Sequence, residues 1–451
     1  LEERFLTGES DVAPNVFGYN IVLDGFHKCG APDAAQKLGA LFQRMKHRSK
    51  EGVKSPLDEN GEKIYVNGDA SKWTQIAPDA ITYSIYMETL GQSREKSALN
   101  MVDDLLANIE SAWEETKDES LKPATRVANS AINAYLKHGS RQLRGPGGSH
   151  RQWVNAKKVH EILNSCDQKY KDTGDVSFRP DITTYTMVIE AYARCNDIAA
   201  TERGEFLFTR VNKMWKSTGD EKLKPSSRTF TVMINSWAKS RDSRSTTKAE
   251  ELITMMEEMY EEDRKNGNAS KSSVKPSIRT YTAAMGVWVR SRDNTKPQRA
   301  LRILKKVSDM YKVSHDEAIK PTLFTYNVAI DACAMCNGNT EQQNEALKIA
   351  FAVNKAITAS KLEPNHITYS TLIKAAGRLL PQGEQRSEVV SAVFKKCQNK
   401  GYVDTNVIKA LEQAADRTTY YNLMEKACDR NGHFHQEEIP REWTKNISNR
   451  G

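Results

Sequence analysis

The sequence predicts an all-α fold, a right-handed α-solenoid of about eight antiparallel helix-pair repeats. Three observations predict it: prolines recur at similar intervals, an aromatic residue follows nearly every one at a fixed offset, and apolar residues follow with helical spacing. In a repeat array each unit buries one face against its neighbours. This suits a chain of 451 residues with only 38% hydrophobic and 27% charged residues.

Eight of the fourteen prolines define the repeat, at successive intervals of 64, 45, 57, 45, 51, 45 and 43 residues. The residue five positions after the proline is aromatic in seven repeats and alanine in one. Because proline cannot continue a preceding helix, we expect each one to separate two repeats. The prolines are Pro14, Pro78, Pro123, Pro180, Pro225, Pro276, Pro321 and Pro364, and the fifth residues after them are Tyr19, Tyr83, Ala128, Tyr185, Phe230, Tyr281, Tyr326 and Tyr369.

Each repeat then shows two helical patterns. Apolar residues stand four and seven positions after the aromatic, on one face of a first helix. A second apolar-periodic run, as in residues 249–256 and 346–353, predicts an antiparallel second helix. A threonine directly precedes the aromatic in six repeats, where we expect it to cap the first helix. These threonines are Thr82, Thr184, Thr229, Thr280, Thr325 and Thr368.

The pattern divides the chain into residues 1–13, an N-terminal lead-in; residues 14–404, the repeat array; and residues 405–451, a C-terminal helix over 407–427 and a polar tail. Three segments interrupt the array. We expect residues 48–76 to form a polar surface insertion, 139–152 a loop because of the glycines at 145–148, and 262–275 a solvated linker.

Residues 180–189 and 364–373 carry the pattern Pro-(Asp/Asn)-x-x-Thr-Tyr-x-x-x-Ile. This resembles the pentatricopeptide repeat family, over roughly residues 14–404. The family's helical solenoids bind single-stranded RNA, mostly in mitochondria and plastids. The resemblance therefore implies a role in organellar RNA processing, stability or translation, in a mitochondrion or a plastid. Most intervals here exceed 40 residues and are longer than the family's unit; the extra length falls in or after the second helix.

In the family, two residues per repeat read one base: the residue just after the aromatic and the residue just after the proline of the next repeat. Short polar side chains at these positions can hydrogen-bond a base edge. Four pairs match the family's code and four depart from it. The matching pairs are Asn20 with Asp79 and Asn129 with Asp181 (uracil-like), Asn327 with Asn365 (cytosine-like), and Ser370 with Asp404 (guanine-like). The departing pairs are Ser84 with Ala124, Thr186 with Ser226, Thr231 with Ser277, and Thr282 with Thr322.

The family places a base-sandwiching residue three positions before the first base-contacting residue. Here these residues are Phe17, Ile81, Arg126, Thr183, Arg228, Arg279, Phe324 and Ile367. The three arginines could stack on bases and pair with phosphates, or they could be ordinary solvated residues at the start of a helix.

The net charge is +8, and residues 120–160 account for it, because they hold eight Lys and Arg residues and no Asp or Glu. Arg141, Arg144 and Arg151 surround the glycines of this segment. The segment is either a phosphate-contact surface or a solvated loop.

The sequence shows no motif for catalysis, metal or cofactor binding. Cys333 and Cys336 lack a second ligand pair, so packing is the better interpretation, and His433 and His435 lie in the polar tail. No stretch approaches the ~18 consecutive apolar residues of a membrane span. Because the chain begins at Leu1 and not at methionine, we expect any targeting peptide to lie outside the sequence.

We therefore predict a monomeric RNA-binding protein that is not an enzyme, needs no cofactor and has single-stranded RNA as its partner, with RNA-processing or ribosomal proteins as further partners. Two alternatives remain open. The chain could be a protein-binding α-solenoid scaffold, or it could be an accessory subunit of an RNA-processing or ribosomal complex.

Overall fold

The structure, a computed structural model, describes residues 15–51, 76–141, 148–269, 271–427 and 439–447. Over these ranges all regular elements are α-helices or short 3-10 helices, without any strand. The predicted all-α class is confirmed. No helix in the described ranges combines the length and the apolar character that crossing a membrane requires.

The eight repeats each contain two helices. The first helices have 12 to 17 residues: α1 (Val16–Cys29), α3 (Ala80–Gln92), α5 (Thr125–Arg141), α7 (Ile182–Ala193), α9 (Ser227–Ser240), α11 (Ile278–Arg290), α13 (Leu323–Ala334) and α15 (His366–Leu379). The second helices have 17 to 26 residues: α2 (Ala34–Glu51), α4 (Ala98–Thr116), α6 (Gly148–Thr173), α8 (Ile198–Thr218), α10 (Ser245–Lys265), α12 (Lys296–Ser314), α14 (Thr340–Ala359) and α16 (Glu384–Lys400).

The described residues form two compact units, the first within residues 1–196 and 202–224 and the second within residues 197–201 and 225–451. In the first unit, the first helices α1, α3, α5 and α7 pack in succession. In the second unit, α9, α11, α13 and α15 do the same. Each unit is thus a stack of antiparallel helix pairs, which is the arrangement of an α-solenoid.

The core of each repeat follows the predicted helical spacing. The apolar residue four positions after the aromatic is at most 1% exposed in all eight repeats. Burying one such side chain stabilises the fold by roughly 1.5–3 kcal/mol. These residues are Leu23, Met87, Ile132, Ile189, Ile234, Met285, Ile330 and Ile373.

The caps of the first helices differ from the prediction. The N-cap is the residue just after the proline, as at Asp79 and Asn365, three positions before the predicted threonine. The threonine is the third helical residue, and in α3, α9, α13 and α15 its hydroxyl accepts the N-cap backbone N–H in a capping box. The predicted threonine cap is therefore wrong. The residue after the proline is the N-cap because its backbone is extended and its short polar side chain can accept a backbone N–H of the first turn.

Similar turns join several repeats. Second helices α4, α6, α8 and α12 end before a residue with positive φ, and an aspartate then caps a 3-10 turn by accepting a backbone N–H. A basic residue follows the turn and directly precedes the proline of the next repeat. The four aspartates are Asp118, Asp175, Asp220 and Asp316.

The predicted interruptions are smaller than expected. Helix α2 continues to Glu51, α5 continues to Arg141, α6 begins at Gly148 and α10 continues to Lys265. Each neighbouring helix thus extends into a segment whose polar composition suggested a loop. Ile76 and Val274, at the ends of two of these segments, are fully buried. Residues 52–75 and 142–147, like the lead-in 1–13, lie outside the described residues.

The predicted C-terminal helix is two helices, α17 (Thr405–Ala414) and α18 (Arg417–Met424), because Asp416 caps α18 by accepting the backbone N–H of Thr419 at 2.9 Å. Part of the predicted polar tail packs. Trp443 in α19 (Arg441–Thr444) is buried with its ring 6.1 Å from that of Phe394, and its carbonyl accepts the Val403 N–H at 2.8 Å.

Candidate nucleic-acid interface

One face of every first helix carries the predicted sandwiching residue and the predicted first base-contacting residue. Counted from the aromatic, the sandwiching position is −2 and the first base-contacting position is +1, and positions +5 and +9 continue the same face at intervals of four. On α5, for example, this stripe consists of Arg126, Asn129, Asn133 and Lys137. We call each such set of four residues a first-helix stripe.

The residues at the sandwiching position are exposed in all eight repeats, including four large apolar ones that are 41–73% exposed. The apolar ones are not needed for the core, because the core of each repeat lies on the opposite side of the stripe. The eight exposed residues are Phe17, Ile81, Arg126, Thr183, Arg228, Arg279, Phe324 and Ile367.

The first base-contacting position lies deeper. Asn20, Ser84, Thr186, Thr282, Asn327 and Ser370 are buried at this position, and Asn129 and Thr231 are half-buried. The second base-contacting position coincides with the N-cap of the next first helix. It is half-buried at Asp79, Asp181, Ser226, Ser277, Asn365 and Asp404, and exposed at Thr322. Ala124, the remaining member of this set, has no side-chain oxygen with which to cap α5.

Two of the matching pairs are joined by a direct side-chain hydrogen bond. Asn20 Nδ2 donates to the Asp79 carboxylate, 3.1 Å from Oδ1 and 3.3 Å from Oδ2. Asn327 Nδ2 donates to Asn365 Oδ1 at 3.5 Å. The structure therefore brings together, within the stack, residues that are far apart in the sequence.

The threonine that precedes the aromatic completes this contact. Thr82 Oγ1 donates to Asn20 Oδ1 at 2.7 Å, and Thr368 Oγ1 donates to Asn327 Oδ1 at 2.8 Å. In the third repeat, Thr184 Oγ1 donates to Asn129 Oδ1 at 2.8 Å, while the Thr184 N–H donates to Asp181 at 2.9 Å. All three asparagines at the first base-contacting position thus accept a threonine hydroxyl.

Serine and threonine at the same position hydrogen-bond within their own helix. Ser84 Oγ donates to the Ala80 carbonyl at 2.7 Å and Ser370 Oγ to the Ile367 carbonyl at 3.0 Å. Their hydroxyl protons are therefore already used inside the helix. Thr186, Thr231 and Thr282 donate in the same way to the carbonyls of Ile182, Ser227 and Ile278.

A cleft of about 520 Å³ lies at the third repeat, within the first unit. It contains the sequence-predicted residues Arg126, Asn129, Asp181 and Thr183. Arg126 forms no ion pair with any described residue, whereas Arg179, which also lines the cleft, pairs with Asp220 at 2.6 Å. Among the described residues, the cleft thus places a cation without an ion-pair partner beside the polar pair that the sequence predicts to contact a base.

Sequence reasoning missed a row of basic residues at the end of the stripe. Position +9 is Lys or Arg in six of eight repeats, and a count along the same helical face would have found it. Two of these side chains form ion pairs on their own stripe: Lys28 with Asp24 at 2.5 Å and Arg194 with Glu190 at 2.7 Å. The six residues are Lys28, Lys137, Arg194, Lys239, Arg290 and Arg378.

The stripe of the seventh repeat carries an acid at position +5. Burial raises the pKa of Asp331, and the nearby charges of Lys374, Arg290 and Arg378 oppose that rise. These three cations belong to the stripes of the neighbouring repeats. The face around Asp331 is therefore basic overall.

The predicted basic segment is only partly described. Arg141 is the last residue of α5, Arg151 is exposed in the first turn of α6, and Arg144 lies outside the described residues. The two lysines of this segment on α6 have partners: Lys157 lies over the Trp153 ring, with Nζ 5.7 Å from its centroid, and Lys158 is 3.9 Å from Asp103.

The cysteine pair is a packing feature. Cys333 is fully buried, and burial raises the pKa of its thiol to about 12. Cys336 is buried beside it. Over the described part of the chain, no three His, Cys, Asp or Glu side chains cluster as a metal site would require. His433 and His435 lie outside that part.

A family model matches part of this chain, and solved structures of low sequence identity are similar to it. Residues 267–335 match the family model of the pentatricopeptide repeat domain. No curated protein matches the chain. Among solved structures, the chain is similar to the pentatricopeptide repeat protein PPR10 from maize, with 16% identity and a TM-score of 0.39 over 94% of this chain and 55% of that one. A second similar structure is PPR10 in complex with an 18-nt psaJ RNA element, with 16% identity and a TM-score of 0.36 over 95% of this chain and 61% of that one.

The chain spans less than two thirds of the length of these solved structures. The family match covers α11, α12 and α13, which form the sixth repeat and the first helix of the seventh. The same proline, buried apolar position and exposed sandwiching position recur in the other repeats. Residues 267–335 of this chain thus match a pentatricopeptide repeat domain.

Proposed function

We propose that this protein binds single-stranded RNA along its first-helix stripes, and that it acts by binding and not as an enzyme. One observation carries the proposal: each stripe places an exposed side chain one turn before a polar residue. An exposed aromatic, aliphatic or guanidinium group can stack on a base, while the polar residue reaches the base edge. The basic residues at position +9 add charge that phosphates would contact.

The residue pairs give the proposal its base preferences. The first and third repeats present an asparagine with an aspartate, which the family's code assigns to uracil. The seventh presents two asparagines, assigned to cytosine, and the eighth presents Ser370 with Asp404, assigned to guanine. The other four repeats carry hydroxyls or alanine, and we propose that they contribute stacking and charge with little base preference.

The cellular role we propose is processing, stabilisation or translation of transcripts in a mitochondrion or a plastid. The family's usual location supports this role. The resemblance to the family also favours RNA-processing or ribosomal proteins as further partners.

Binding of fluorescently labelled RNA tests the proposal directly. The purified chain should bind a random single-stranded RNA more tightly than the same sequence as a duplex. Replacing Arg126 and Arg279 by alanine should weaken binding, because both residues are exposed at the sandwiching position. The matched control replaces Arg264 and Lys312, two exposed cations on second helices, and removes the same charge.

Two results would count against RNA binding along the stripes. Equal losses in the test and control variants would mean that only net charge matters. Absence of binding to single-stranded RNA would leave the protein-binding scaffold as the better explanation.

A further inference from the structure

In three repeats, a threonine joins the asparagine that contacts the base to the cap of the next helix. The hydroxyls of Thr82, Thr184 and Thr368 lie 2.7, 2.8 and 2.8 Å from an asparagine amide oxygen. The N-cap side-chain oxygen is slightly farther away, at 2.8, 3.1 and 3.2 Å, so each hydroxyl donates its one proton to the nearer asparagine oxygen. Each of these threonines also donates its backbone N–H to the neighbouring N-cap side chain, at 2.8, 2.9 and 3.1 Å. One threonine thus contacts both residues of the pair.

These two contacts determine whether the oxygen or the nitrogen of the asparagine amide faces the threonine hydroxyl. In the seventh repeat, Asn365 Oδ1 accepts the Thr368 N–H, so it can only act as an acceptor toward Asn327 Nδ2. The opposite end of the Asn327 amide, its oxygen, receives the Thr368 hydroxyl. Rotating the amide by half a turn would place two acceptor oxygens against each other. The first repeat repeats this arrangement with Asn20, Asp79 and Thr82.

Burial makes the threonine hydroxyl hard to replace. Asn327 is 5% exposed and Thr368 is fully buried, so water does not readily take over the hydrogen bond. An amide oxygen left there without a donor would have lost its water contacts without gaining a hydrogen bond in exchange, which is unfavourable. The side chain would leave its position to avoid that cost.

Two helices of this chain have valine where the others have this threonine, and they show which residue then stands at the first base-contacting position. In α5 and α17 the third helical residue is valine, Val127 and Val407. The preceding repeats then carry serine at the first base-contacting position, Ser84 and Ser370, and each serine bonds to a carbonyl of its own helix. Asparagine occurs at this position only where a threonine follows.

We propose that Thr82, Thr184 and Thr368 are positioning residues for base recognition: each fixes the orientation of one asparagine amide and thereby the donor that this amide offers to a base. This inference rests on the proposed RNA binding. It assigns a role in specificity to a residue that does not itself contact the base. Without the hydroxyl, the repeat should still bind RNA but should no longer distinguish the bases.

The test measures base preference at one position of the RNA. Selection from a random single-stranded pool with the wild type and with N365D first identifies the base that the Asn327–Asn365 pair contacts. Four RNAs that differ only at that base are then titrated against wild type, T368V, T368S and T325V. Thr325 is the matched control, because it is also fully buried in a capping box but contacts the Thr282 hydroxyl, at 3.0 Å, and no asparagine.

We expect the wild type, T368S and T325V to prefer one base by about fivefold to tenfold, by analogy with other base-edge contacts. T368V should bind all four RNAs within about twofold of one another, with the preferences at other positions unchanged. The melting temperatures of T368V and T325V should fall by similar amounts, because both lose a capping box.

Other outcomes would overturn the inference. If T368V keeps the wild-type preference, the amide needs no threonine. If T368V loses affinity equally for RNAs of every sequence, at every position, the threonine has a structural role only. If the wild type binds no RNA at all, the proposed function fails and the inference falls with it. The wild-type titration alone identifies that last case.

Discussion

Lys122 and Asp175 form an ion pair, Nζ to Oδ2 2.8 Å, that connects the beginning and the end of the third repeat. Lys122 directly precedes the proline that opens this repeat, and Asp175 caps the 3-10 turn that closes it. Arg179 and Asp220 make the equivalent contact in the fourth repeat at 2.6 Å, and Lys275 and Asp316 in the sixth at 2.7 Å. These pairs tie consecutive turns to one another.

The pair predicts how stability depends on pH. The Lys122 ammonium, together with the Ser177 N–H, lowers the pKa of Asp175 to about 2. A carboxyl group with a lowered folded-state pKa stabilises the fold above its unfolded pKa of about 4, and this contribution disappears as the pH falls towards about 2. The melting temperature of D175N should therefore lie below that of the wild type at pH 6, and the difference should shrink between pH 4 and pH 2.

D309N is the control for that measurement, because Asp309 is an exposed carboxyl group on α12 that pairs only locally, with Lys312. Its melting temperature should follow the wild type at every pH. A D175N difference that persists unchanged at pH 2 would show that the ion pair is not its source.

Replacing Asn365 by aspartate should change the base preferred by the seventh repeat from cytosine to uracil. The amide donor becomes a carboxylate acceptor, while the cap of α15 keeps an oxygen for the Thr368 N–H. The expected discrimination is about 1 kcal/mol. Selection from a random RNA pool with both proteins measures it, and the eighth repeat should place a guanine beside the altered base. Identical motifs from the two proteins would mean that this pair does not read a base.

Replacing Arg141, Arg144 and Arg151 together by glutamine should weaken binding to all RNA sequences alike. Three fewer phosphate contacts would reduce the slope of log affinity against log salt by about two. Titrations at several salt concentrations measure this slope. The control replaces Arg264, Lys305 and Lys312, which lie on second helices and carry the same total charge. If the slope is the same as that of the wild type, the segment is a solvated loop.

Gly377 on α15 should not tolerate a side chain. A Cβ at this position would lie 2.5 Å from the Cβ and 2.8 Å from the Cα of Ala414 on α17, so the two helices would have to separate. We expect G377A to lower the free energy of unfolding by about 1–2 kcal/mol, despite the better helix propensity of alanine. G286A is the control on α11, where a Cβ meets only the end of the Arg290 side chain, and it should stabilise the protein by up to about 1 kcal/mol. Thermal unfolding of both variants checks the prediction, which is wrong if they behave alike.

The helical core could be predicted because it depends on spacing within one helix. Ile189 and Ile373 follow their tyrosines by one turn, and this alone places them on the buried face. The caps of the same helices were assigned three residues too late, since a threonine at the third helical position and one at the N-cap look alike in a sequence.

Contacts between repeats could not be predicted in the same way. The hydrogen bond from Asn20 to Asp79 depends on how α1 stacks on α3, which no local pattern encodes. The packing of Trp443 against Phe394 was not predicted either, because the segment that precedes the tryptophan in the sequence is polar. The positions assigned to base contact follow from the family resemblance and from their fixed distance to the aromatic, which is a local property; that they contact bases stays a prediction.

The lengths of the helices have a consequence for how such a protein can change. First helices vary only from 12 to 17 residues, whereas second helices reach 26, and the longest interval between prolines contains residues 52–75, which follow a second helix. Residues added in or after a second helix leave the spacing from proline to stripe untouched. In the proposed binding mode, the number of bases contacted therefore equals the number of first helices and does not depend on the length of the chain. Insertions and deletions outside the first helices could thus accumulate during evolution without altering the RNA sequence that is recognised.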